Sequence, residues 1–128
     1  MRAGRALRRV IIARLSQEVT ALSGRIYARS VPEAADYPYC TIGPSYWTPR
    51  NAECIPARSQ TVQVNLWHRA GADGEAEDLV DDVSAALEGW ADSAMLVMGP
   101  LRVALARVTD DPSGDLHGVV QVEAVVEG

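Results

Sequence analysis

The sequence predicts an α+β fold, a two-layer domain with a mostly antiparallel sheet of about four to five strands flanked by two helices, in the order α-β-β-β-α-β-β. Three observations lead to this. Two segments carry apolar residues at helical spacing along a single stripe. Several others alternate apolar and polar residues with a period of two. Gly and Pro clusters separate them.

The first helix is expected over about Ala3 to Leu22. Leu7, Ile11, Ile12, Leu15, Val19 and Leu22 fall on one side, and Arg2, Arg5, Arg9, Ser16 and Thr20 on the other. Ser23-Gly24 supplies its stop, since Gly suits the left-handed residue after a helix. Short strands follow at Arg25 to Arg29 and Tyr39 to Ile42, with a loop from Val31 to Tyr37 between them. Pro44 to Ser59 holds Pro44, Pro49 and Pro56 and reads as a long Pro-rich loop, 44–59, with Trp47 at its centre. In Thr61 to His68 the residues Val62, Val64, Leu66 and His68 face one way, and Thr61, Gln63, Asn65 and Trp67 the other.

The second helix, about Gly74 to Glu88, has an apolar stripe of Ala76, Leu79, Val80, Val83, Ala86 and Leu87, which Trp90 extends. Its wet face is Glu77, Asp78, Asp81, Asp82 and Glu88, with Asp73 as the expected N-cap. Gly89 ends it. Met95 to Met98 reads as a short strand or an extended linker. Leu101 to Thr109 and His117 to Glu127 are the last strands, joined by the turn at Asp110 to Asp115 and expected to pair as an antiparallel hairpin.

A hydrophobic share of 48% over 128 residues supports one core, so 1–128 is read as one domain. No stretch approaches the run of about 18 apolar residues that spans a bilayer. The apolar run Val10 to Ala13 is too short for a signal peptide. The net charge is −5, where an autonomous duplex binder is usually basic. That charge is uneven. Arg2, Arg5, Arg8, Arg9, Arg14, Arg25 and Arg29 face only Glu18 near the start, and the remainder is acidic. Such asymmetry suits head-to-tail assembly of identical subunits, or two solvated faces of a monomer. Cys40 and Cys54 form no CxxC pair and have no His at metal-ligand spacing, so both are expected to be reduced thiols.

Catalytic patterns are missing from the sequence. His68 and His117 both sit in strands, and no GxSxG elbow accompanies them. The acidic run from Glu75 to Asp82 lacks the spacing of a calcium loop and is read as the wet face of its helix. Neither GxGxxG nor GxxxxGK occurs. No enzyme activity, cofactor or metal is therefore expected.

Four pieces, taken in order, resemble the tail completion (tail terminator) family of long-tailed phages and gene transfer agents. They are YPYCTIG from Tyr37 to Gly43, QTVQVNLWHR from Gln60 to Arg69, the helix from Gly74 to Gly89, and LHGVVQVEAVV from Leu116 to Val126. The resemblance implies a structural virion subunit that forms a ring, commonly hexameric, at the head-proximal end of the tail. Its implied partners are further copies of itself, the tail tube protein and a neck or head-completion protein. DNA would pass through the lumen without specific binding, and no membrane is involved. The implied location is the virion, after assembly in the bacterial host cytoplasm. Contacts are expected from the Arg face, Arg2, Arg5 and Arg9, and from Tyr46, Trp47, Arg50 and Arg58 of the 44–59 segment, whose aromatic and Arg content matches interface hot spots. Alternatives are another neck or minor tail protein, or a small nucleic-acid-binding protein using the N-terminal Arg helix.

Overall fold

The computed structural model describes residues 2–28, 30–50 and 56–127. Helix α1 (Ala3–Glu18) is followed by a 3-10 turn (Thr20–Leu22), then strands β1 (Ile26–Tyr27), β2 (Tyr39–Pro49) and β3 (Ala57–His68). Helix α2 (Asp73–Leu87) and strands β4 (Arg102–Asp110) and β5 (Leu116–Glu127) complete the chain. The order matches the expected α-β-β-β-α-β-β. The five strands form one sheet in the order β1-β2-β3-β5-β4. Only the β1–β2 pair is parallel; the other three are antiparallel, and β4 and β5 form the expected hairpin.

Both helices cover the same face of the sheet. The alternation in β3 and β5 points Val62, Val64, Leu66, Val120, Val122, Ala124 and Val126 at them, and all are buried. From α1 come Leu7, Ile11 and Leu15; from α2 come Leu79, Val80, Val83 and Leu87. Fully burying one such side chain stabilises by roughly 1.5–3 kcal/mol, so these stripes, and not helix propensity, hold the helices down. Helix α1 lies over the β2 side, with Gly4 above Arg58 and Gln60. Helix α2 lies over β5 and β4, with Val80 against Gly118.

The segment from Pro44 to Ser59 is not a long loop. Strand β2 continues through Pro49 and β3 already starts at Ala57. Arg50 N–H donates to Ala57 O at 2.9 Å, and the intervening 51–55, with Cys54, lie outside the described residues. Two prolines are tolerated in β2 because of where they stand. β1 pairs only with Cys40 and Thr41, so the strand beyond is a sheet edge among the described residues, where a missing N–H breaks no ladder bond. Pro44 also sits within a register shift between Ile42 and Ser45.

Smaller differences have local causes. The α-helix ends at Glu18 and its last turn tightens into 3-10 geometry, after which Ser23 and Gly24 take positive φ. Asp73 is the first residue of α2 and Ala72 its N-cap, without a side-chain cap. Asp73 acts instead as a first-turn acid. Met95 to Met98 contributes one bridge, Met98 to Val126. Cys40 is a buried free thiol, pushed up to about 12 by burial and therefore unreactive.

Candidate functional site

Three surfaces stand apart from the core. The first is a groove of about 420 Å³ between the start of α1 and the far half of the β2–β3 hairpin. Its walls include Arg5, Arg8, Arg9 and Ile12 from α1 and Ser45 and Trp47 from β2, with Gln60 of β3 at its floor. The Arg58 guanidinium stacks over the Trp47 ring at 4.3 Å, an arrangement Arg favours. Trp47 is still 55% exposed. Neither Arg5 nor Arg9 forms an ion pair among the described residues. Gln60 is 0% exposed, and neither its Nε2 nor its Oε1 has a partner; the buried Arg58 Nε also lacks one. An unsatisfied buried polar group typically destabilises by about 1–3 kcal/mol.

The second surface is the outer face of α2, where Glu77, Asp78, Asp81 and Asp82 are all exposed and form no ion pair among the described residues. Glu75 approaches His68 Nε2 at 3.1 Å. Glu88 accepts the Val103 N–H at 2.8 Å. Asp78 and Asp82 border clefts shared with α1 and the turn after it, so only Glu77 and Asp81, in line with Glu88, lie on the flank away from α1.

The third surface is the open face of the sheet. One ring from each of four adjacent strands forms a row, Tyr27, Tyr39, Trp67 and His117, with centroid separations of 6.1, 6.5 and 4.2 Å. Trp67 Nε1–H donates to Thr41 Oγ1 at 3.0 Å, and His117 Nε2 lies 2.8 Å from Asn65 Oδ1. This network is satisfied within the chain. Burial holds the His117 pKa below its ordinary value of 6.5; Asp111 opposes the shift and Arg107 adds to it. Between that lowered value and 6.5 the unfolded chain binds the extra proton, so stability falls as the solution is acidified through this window. We expect urea midpoints to drop between pH 7.5 and pH 5.5 by more in the native chain than in His117→Gln.

The structure divides the residues expected from sequence. Arg5, Arg9, Trp47 and Arg58 come together on the helix side, with exposed Arg2 just before α1. Tyr46, 57% exposed, points to the open face because β2 alternates, and Arg50, one residue past β2, lies beside Ser59, Glu123 and Val125. Arg8 and Gln60 join the groove although neither was singled out. The available signal was Gln60, an amide in phase with Val62, Val64 and Leu66.

A family model described as "Tail completion protein gp17" matches residues 9–127. The chain belongs to the tail completion protein family. It is thus a structural phage-tail protein. Solved structures share its fold. A chain from the virion of a native gene transfer agent (GTA) particle aligns with a TM-score of 0.81 at 20% identity, covering 98% of each chain. The gp17 protein of bacteriophage SPP1 aligns with a TM-score of 0.57 at 24% identity, covering 97% of this chain and 91% of that one. No curated protein sequence matches. In this chain that fold carries the groove, the acidic helix and the open sheet face described above.

Proposed function

We propose that this tail completion protein is one subunit of a closed ring, hexameric, that ends the tail tube at its head-proximal side and joins it to the neck of a phage-like or gene-transfer-agent particle. The observation that carries the ring is the placement of charge. The cationic start of α1 and the Glu77–Asp81 stripe of α2 lie on opposite sides of one small domain, and head-to-tail rings need two different complementary patches. Arg2, Arg5, Arg9, Trp47 and Arg58 belong to the flank that meets a neighbouring copy. Tyr46 and Arg50, near the hairpin tip on the open face, are assigned to the axial contact with tube or neck. DNA crosses the lumen without specific binding, and the subunit assembles in the host cytoplasm. No step of this role is catalytic.

The test is the mass of the purified protein by light scattering after size exclusion, with negative-stain images of the peak. Closed rings support the reading. A monomer at high concentration that also fails to bind purified tail tubes overturns it.

A further inference from the structure

The groove beside α1 has the chemistry of an unfilled anion site. Helix α1 starts without a side-chain cap and without any acid in its first turn, while Arg2 precedes it and Arg5 stands in that turn, with Arg8 and Arg9 in the next. Cations there oppose the dipole, so a carboxylate arriving from outside relieves two unfavourable terms at once. The second, independent sign is at the floor. The Gln60 amide is wholly buried with both atoms unpartnered and lines the same groove. Gly4 stands over it. A Cβ there would come within 3.5 Å of Arg58 Nη2 and 3.6 Å of Gln60 Nε2, so its missing side chain keeps the space above the amide clear.

We propose that this groove receives Glu77 and Asp81 from α2 of a second copy of the chain, which rests on the ring reading above and names its contact. These two carboxylates are one helical turn apart, as are Arg5 and Arg9, so both pairs repeat at about 6 Å along their helices. They share a stripe with Glu88, whose bond to Val103 shows that this side of α2 faces β4, away from α1. Both pairs are free of ion pairs among the described residues. Because α1 and α2 occupy opposite flanks, each copy offers its carboxylates to one neighbour and its groove to the other, and the contact repeats. Ile12 and Trp47 add apolar wall to the groove, which suits the stem of Glu77.

Charge reversal on each side tests this with the full chain. Arg5→Glu with Arg9→Glu, and separately Glu77→Arg with Asp81→Arg, should each weaken self-assembly by about tenfold or more, while at low concentration circular dichroism stays native and the Tm of the Arg5→Glu pair holds or rises, because an acid in the first turn suits the dipole of α1. Mixing the two variants in equal amounts should restore ring-sized species, because every contact then joins opposite charges; so should all four changes in one chain. Gln60→Leu should hold or raise the Tm of the dilute protein and still weaken assembly. Native rings with unaffected variants, or folded variants that fail to complement, overturn the pairing alone. A native chain that stays monomeric with and without tail tubes overturns the ring reading and the pairing with it. Salt-sensitive binding of duplex DNA that Arg5→Glu with Arg9→Glu abolishes, with assembly unchanged, would assign the groove to phosphate and overturn it too.

Discussion

Gly118→Val should destabilise the fold by about 3 kcal/mol, seen as a lower urea midpoint with an unchanged slope. Gly118 lies in β5 opposite Leu66, on the face that α2 covers. A Cβ at this position would meet Val80 Cγ2 at 2.7 Å and Leu66 Cβ at 3.2 Å. Val80 cannot swing aside, because a branched Cβ in a helix has essentially one comfortable rotamer. The strand cannot retreat either, being paired on both sides, with β3 and with β4. The strain must therefore lift α2, and with α2 the acidic flank. Gly118→Ala should also lose stability, and adding Val80→Ala should relieve the larger part of that strain, the contact with Val80 Cγ2, while the closer approach to Leu66 Cβ remains. A native midpoint for Gly118→Val would mean that α2 does not pack where it is described.

The elements most legible in the sequence were those whose pattern is fixed by one buried face. Val62, Val64 and Leu66 announce β3, and Leu79, Val80, Val83 and Leu87 announce α2, because burial leaves no freedom in phase. The fold class and its order followed from these. The far half of β2 was not legible. Pro44 and Pro49 argue against a strand in general, yet they are harmless on an edge, and which strand is an edge depends on the short β1, a pairing that local pattern does not encode. The groove was half legible for a similar reason. Arg5 and Arg9 share a helix face by spacing alone, and Trp47 and Arg58 stood out by type. That they converge needs β2 to be extended so far that Trp47 reaches α1. Gln60 carried a signal, an amide in phase with Val62, Val64 and Leu66, but that it lines a groove needs α1 and β2 placed beside it.

Leu7→Ala should cost about 2–5 kcal/mol, from lost apolar burial and from the cavity that remains. Leu7 is fully buried in the same cluster as Ile11, Leu15, Val62 and Val64, and lies one turn from Ala3, also fully buried. Domains of this kind hold only about 5–15 kcal/mol in all, so the loss is a large share of the total and gives a clearly lower midpoint. The loss falls on the helix that presents Arg5 and Arg9. Assembly should therefore weaken even though no surface group has changed, and the two effects separate by concentration. Any assembly that binds only the folded chain stabilises it by mass action, so the Tm of Leu7→Ala should climb as protein concentration rises, approaching but not reaching the native value. For Arg5→Glu with Arg9→Glu the dependence should vanish. Its dilute Tm should equal or exceed that of the native chain, and raising the concentration should leave it flat. A Leu7→Ala midpoint equal to the native one would mean that α1 is not anchored through this residue, and the groove it forms with β2 and β3 would lose its fixed wall.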